Sequence, residues 1–167
     1  MIDYKDYRKN ASEHDLCSEF IKIWDSCKSK KQLMDMALGA KGVDFLCASI
    51  AEGWGISPES LAYDFEPFMN GRYVRDIDGY TSKMYCRFMG KVIADTTIVT
   101  LIDSEVKLEV PKSSICEVYC AGDCSIDVKG DGEVVFICYG EESSIGINGS
   151  CSNMKRINKK ERDKYEL

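Results

Sequence analysis

The sequence predicts an α+β protein: a four-helix N-terminal subdomain, residues 1–72, caps a C-terminal region of short β repeats, residues 73–157, and a basic tail follows over residues 158–167. Three observations carry this prediction. Apolar residues recur at helical spacing as far as Phe65, alternation of period two begins at Tyr80, and beyond Asp103 a short, mostly glycine-bearing unit repeats to the end of the chain.

Ser12 with Asp15 reads as a capping box opening the first helix, whose stripe is Leu16, Phe20, Ile23, Trp24 and Cys27. Ser29 with Gln32 opens a second, which ends at Leu38 with Gly39 as the residue leaving the helix. A third helix runs from Val43 to Glu52 and turns Phe45, Leu46, Ser49 and Ile50 inward, until Gly53-Trp54-Gly55 breaks it. The fourth has the fullest start: Ser57 as N-cap, Pro58 at the first helical position, Glu59 near the positive dipole end, and Ile56 placed to pack on Leu61. Pro67 stops it by disfavouring the α conformation at Glu66, and Asn70-Gly71 marks a turn and the boundary.

From Tyr80, residues Tyr80, Ser82, Met84, Cys86 and Phe88 alternate with Thr81, Lys83, Tyr85 and Arg87, a strand pattern, and Thr96–Ile102 is β-branched and apolar. The unit that follows is an apolar residue, a spacer, glycine, small or acidic residues, then Val, Ile or Met. Its copies run 120–126, 128–134, 138–145 and 147–154, with two earlier ones lacking the glycine, and they close at residues 106, 115, 126, 134, 145 and 154. A unit of eight to eleven residues is one strand and one turn, which cannot bury its apolar side alone and must stack on its neighbours. Two arrangements satisfy this: a parallel β-solenoid (β-helix), or an antiparallel sandwich or roll with hairpins at Lys129–Gly132 and Asn148-Gly149. Similarity of the units favours the solenoid, whereas their unequal steps of 9, 11, 8, 11 and 9 residues speak against it. The helices are then expected to cover one open end of the stack. Val134–Tyr139 is expected deepest in the core, or at a homodimer contact if it lies at an edge. From Met154 the chain reads as a short helix or frayed end covering the last strand.

In these repeats, Cys138-Tyr139-Gly140 with Ile145 above all, the sequence resembles the short-repeat β-solenoid proteins of gut bacteria and their prophages, with repeats of the type apolar-aromatic-Gly-Asn-Ala-x-Val. The resemblance covers about one third of the chain. Here Asp-Cys, Asp-Gly, Glu-Glu and Ser-Cys replace Asn-Ala, which removes an asparagine ladder and makes the turn edge acidic. The resemblance implies a β-solenoid fold and a phage or mobile-element context. It implies no chemistry, so no functional residue is carried over.

Composition narrows the function. The 167 residues, 44% apolar and 30% charged, suit a globular chain, and no apolar run is long enough to cross a bilayer. Charges in Met1–Asp6 occupy the place where a signal peptide needs an apolar segment, so a cytoplasmic protein without a membrane partner is expected. Net charge is −6, and residues 98–150 carry only Lys107, Lys112 and Lys129 against ten acids, which repels phosphate backbones and argues against direct nucleic-acid binding. The leading reading is a non-catalytic protein-interaction module with an acidic β face formed by Asp103, Glu105, Glu117, Asp123, Asp127, Asp131, Glu133, Glu141 and Glu142. One alternative is a nucleic-acid-mimicking inhibitor of a host defence nuclease, in the manner of some anti-CRISPR proteins. Another is a helix-turn-helix regulator, because Ala51, Gly55, Ile56, Ser57 and Leu61 have that motif's spacing. Its second helix, however, offers Glu59, Tyr63, Asp64 and Glu66 and no basic residue. Arg72 and Arg75 just beyond are the only cations near it suited to an anion.

No triad or nucleotide loop appears, so no enzyme and no cofactor is expected. The single histidine, His14, is placed in the first turn of the first helix, on the surface. Nine cysteines without an export signal read as reduced core filler. Among them Cys116, Cys120 and Cys124 alone have metal-like spacing, which packing on a strand accounts for without a metal. Asp76-Ile-Asp-Gly-Tyr80 begins like a calcium loop but has Arg87 where the closing glutamate belongs, and reads as a polar turn.

Overall fold

A computed structural model describes residues 4–159. Five helices come first: α1 (Tyr4–Glu13), α2 (Ser18–Ser26), α3 (Lys30–Ala37), α4 (Ala40–Glu52) and α5 (Pro58–Asp64), then a 3-10 turn at Glu66–Phe68. The capping boxes at Ser29 and Ser57 form, with side-chain oxygens accepting from the Gln32 and Ser60 amides. The Ser12 box does not. Ser12 lies in α1, a helix that the sequence reading missed, and Asp15 takes a left-handed φ of 61° in the turn before α2. His14 therefore belongs to the turn after α1, where it stacks on Trp54 with ring centroids 4.1 Å apart.

Ten strands follow: β1 (Arg75–Ile77), β2 (Tyr80–Cys86), β3 (Met89–Ile93), β4 (Ile98–Ile102), β5 (Glu105–Val110), β6 (Ile115–Ala121), β7 (Cys124–Gly130), β8 (Glu133–Tyr139), β9 (Ile145–Gly149) and β10 (Asn153–Lys159). They form two sheets, β1-β2-β4-β6-β8-β10 and β3-β5-β7-β9. Every pairing is parallel except β1 with β2. The chain thus coils as a two-sheet parallel solenoid, each turn laying one strand in each sheet, and the antiparallel sandwich or roll is excluded. The unequal steps have a simple cause. The residues that close the repeat fall on β5, β6, β7, β8, β9 and β10 in turn, and two unlike corners alternate, so only a pair of steps makes a whole coil. The true repeat is the coil, and Val106 meets Ile126 as Val134 meets Met154.

The one hairpin among the described residues joins β1 to β2 through Asp78-Gly79, both at positive φ, on the segment that read as a polar turn. The proposed hairpins at 129–132 and 148–149 are solenoid corners. At Gly149, φ is +89° and a Cβ would lie 2.0 Å from the Val128 carbonyl oxygen, so the backbone of the next coil leaves room only for glycine. Nor do residues 154–159 form a helix: they are β10, parallel to β8. Residues 160–167 of the basic tail lie outside the described residues.

Inside the solenoid, one column of inward side chains runs Lys83–Val99–Val118–Phe136–Arg156 across the coils. Its middle is buried and apolar, and its ends are cations. Lys83, 7% exposed, donates to the Ile93 carbonyl and to Asp95, both at 2.7 Å. Arg156 donates to the carbonyls of Ile145 at 2.8 Å and Glu142 at 3.0 Å. Each end of the lumen is thereby closed by a charged group bonded to the facing strand, which discourages another sheet from adding there.

The helices do not cover an end of the stack. They lie on the outer face of the six-stranded sheet, where α4 places Val43, Cys47 and Ala48 against Ile98, Tyr119, Ala121, Ile137 and Tyr139. A buried polar link fastens this contact. Asp44, 2% exposed, accepts a hydrogen bond from the Tyr139 hydroxyl and lies 3.8 Å from the Lys159 ammonium. Strand β4 is buried on both faces for this reason, as an unbroken apolar run implies.

Candidate functional site

Among the described residues, no helix packs over the four-stranded sheet. Its outward rungs are Met89–Glu105–Ser125–Gly146, Lys91–Lys107–Asp127–Asn148 and Ile93–Glu109–Lys129. Lys91, Lys107 and Lys129 balance Glu105, Glu109 and Asp127 on this face. Lys91 pairs with Glu109 at 2.6 Å, and together with nearby Lys129 it holds the Glu109 carboxyl below its usual pKa. The open β face is close to neutral.

The acids predicted to share one face divide among three places. Glu105 and Asp127 lie on the open face. Glu117 and Glu133 lie on the outer side of the large sheet near its strand starts, with Asp131 in the adjoining corner, and Glu117 accepts from the Tyr119 hydroxyl at 3.1 Å. The remaining four, Asp103, Asp123, Glu141 and Glu142, gather at the other corner, where the chain passes from the large sheet to the small one. The equivalent positions on successive coils are Arg87, Asp103, Gly122 and Gly140, all with positive φ. Asp103 ties two coils together, since its carboxylate accepts from the Asp123 amide at 2.8 Å. A Cβ at Gly122 would stand 2.1 Å from that carboxylate oxygen, so glycine there makes the link possible.

Along this corner runs an open groove of about 450 Å³ lined by Arg87, Met89, Asp103, Glu105, Asp123 and Ser144. Its acids are exposed or half-exposed, and beside them Met89 is 76% exposed. Glu141 and Glu142 stand exposed on the next coil. The corner is therefore acidic on its later coils, with exposed Arg87 and Met89 at its foot, next to a near-neutral sheet face. Sequence reasoning missed the groove's Met89, because Met-Gly-Lys-Val-Ile buries Val92 alone and gives too little alternation to mark β3. It also missed Lys83 and Arg156 as lumen caps. The alternation grouped Lys83 with Tyr85 but did not say which side faced inward.

The cysteines of metal-like spacing enter the lumen separately. Cys116 and Cys120 face inward from β6 and Cys124 from β7, all buried. Loss of water pushes the Cys116 thiol up to about 12 and that of Cys124 to about 11, which favours the neutral thiol in the lumen. Among the described residues no three His, Cys, Asp or Glu side chains converge to hold a metal. In the helix-turn-helix segment, α5 leans on β2: Leu61 is buried with Met84 and Cys86, and the Cys86 thiol donates to the Pro58 carbonyl at 3.3 Å. What α5 shows to solvent is Glu59 and Tyr63, and Arg75 lies on β1.

Comparison with protein-family models, with curated proteins and with solved structures gives no match. No helix among the described residues is long and apolar enough to cross a membrane.

Proposed function

We propose that this chain is a non-catalytic protein-interaction module that receives a basic segment of a protein partner in the corner groove. The observation supporting it is the gathering of Asp103, Asp123, Glu141 and Glu142 on successive coils beside exposed Met89, while the helices pack on the outer face of the large sheet. Strands in a sheet stand about 4.8 Å apart, so the coils repeat negative charge along the groove at close intervals. Charge of this kind steers a cationic partner and fixes its orientation, and Met89 adds apolar area where charge alone holds little. Near-neutrality of the adjoining face keeps the attraction local to the corner.

Fluorescence anisotropy with a labelled lysine- and arginine-rich peptide tests the reading. The expected result is saturable binding at low salt that weakens steeply as ionic strength rises. The triple variant Asp103→Asn, Asp123→Asn, Glu141→Gln is expected to lose it, whereas Asp131→Asn with Glu133→Gln keeps it. Failure of the intact protein to bind at low salt, or equal binding by both variants, contradicts the proposal.

A further inference from the structure

The helical layer encloses a space among its side chains. Between the helices lies an almost wholly apolar pocket of about 100 Å³, walled by Tyr7, Phe20, Trp24, Leu33, Trp54 and Phe65. Folded interiors hold few voids larger than a water molecule, because each missing neighbour forfeits dispersion contacts. The lining gives water little beyond the buried Tyr7 hydroxyl, short of the two to four polar partners that it needs, so water does not fill it favourably. An engineered cavity of about 150 Å³ with a similar lining stays dry and takes up benzene or xenon. The pocket here is of that order, and its mouth is bordered by Tyr4 and Phe20, of which Tyr4 is exposed and Phe20 half-buried.

We infer that this pocket is a binding site for a small, uncharged apolar molecule up to the size of one aromatic ring. Seven aromatic side chains stand in its wall among aliphatic ones and offer ring faces and edges to a planar guest. A charged ligand is excluded, because the lining offers almost nothing polar to replace its hydration. The site is independent of the corner groove, with which it shares no lining residue.

The protein carries two tryptophans, Trp24 and Trp54, and both line the pocket, so the whole of its tryptophan emission reports on occupancy. Toluene and indole are titrated into the full chain, toluene being followed by tryptophan fluorescence and indole, itself fluorescent, by calorimetry. Xenon is followed by its NMR shift. The result expected is saturable one-to-one binding, with xenon displaced by toluene. Ala11 is 1% exposed and lines the pocket, so Ala11→Leu is expected to fill it and weaken toluene binding by about tenfold or more. Leu33→Ala enlarges the pocket and acts in the opposite direction, strengthening indole relative to toluene, which keeps the test decisive if Ala11→Leu does not fold. A response that never saturates, or one that is the same in Leu33→Ala and the unaltered protein, overturns the inference.

Discussion

In the solenoid one column, Lys83–Val99–Val118–Phe136–Arg156, carries the core from end to end, whereas in the helical layer no two helices contribute equivalent residues and a pocket of about 100 Å³ remains among them. The difference lies in how neighbours are chosen. Register puts like positions on like positions, so each coil copies the packing solution beneath it. Five short helices with large aromatics must instead fit irregular shapes to one another, and the fit is incomplete. The same contrast separates two kinds of surface. The solenoid corner repeats a charge on successive coils, while the helical layer exposes single apolar residues such as Tyr63, 82% exposed, without a pattern.

Cavity-forming substitutions should reveal the contrast most strongly. Phe136 is wholly buried in the middle of the column, and Phe136→Ala is expected to cost about 3–5 kcal/mol in denaturant unfolding. Half-buried Phe20 already borders empty space, so Phe20→Ala is expected to cost less than half as much. Equal losses would remove the distinction between the two cores.

Glycine substitutions sharpen it next. Both Gly149 and Gly53 have positive φ, but a Cβ at Gly149 collides with the backbone of the next coil and one at Gly53 meets nothing within 4 Å. Gly149→Ala is expected to cost about 2–3 kcal/mol and Gly53→Ala about 1 kcal/mol, the conformational strain alone. Comparable values would show that the coils are not in close backbone contact.

How much of this was legible follows from the same physics. The period-two pattern and the repeat showed stacked strands, because the residue types that close each unit recur strand after strand, and left the solenoid and the antiparallel arrangement both open. Glycine at 122, 130, 140 and 149 marked corners, but nothing local distinguished a solenoid corner from a hairpin. That choice depends on which strands pair, and the one real hairpin, Asp78-Gly79, lay outside the repeat. The placement of the helices was less visible. Thr96–Ile102 read as apolar without alternation, the mark of a strand covered on both sides, and this points to helices over a face rather than an end. α1 was missed because it buries Ala11 alone among its ten residues. The acidic corner was out of reach of a charge count, since Asp103, Asp123 and Glu141 are brought together only by the coil length.

The junction of the two regions gives a smaller effect. Tyr139→Phe removes the hydroxyl bonded to buried Asp44 and is expected to cost about 1–3 kcal/mol, measured by thermal or denaturant unfolding. A neutral result would mean that the Tyr139–Asp44 bond adds nothing to the apolar packing and to the Tyr80–Leu38 and Cys86–Pro58 hydrogen bonds that also join helices and sheet.

The last expected effect is on the pH dependence of stability, and it is absent at neutral pH and emerges only in alkali. Burial raises the thiols of Cys116 and Cys124 from 9.0 to about 12 and about 11. The folded state therefore disfavours their ionisation. The stabilising contribution is intact below pH 9 and declines as pH rises through about 9 toward 11–12. Unfolding midpoints should fall over that alkaline range, and less so in a Cys116→Ala, Cys124→Ala variant. Equal slopes in the two proteins would mean that these thiols are not shielded from water.

The parallel coil is the claim on which the groove, the capped lumen and the covered face all depend. Interstrand nuclear Overhauser contacts read it directly. Contacts of Val118 with both Val99 and Phe136, and no close Hα–Hα pairs across residues 124–139, are the predicted result. Strong Hα–Hα contacts between β7 and β8, as a hairpin at 130–132 requires, would contradict it.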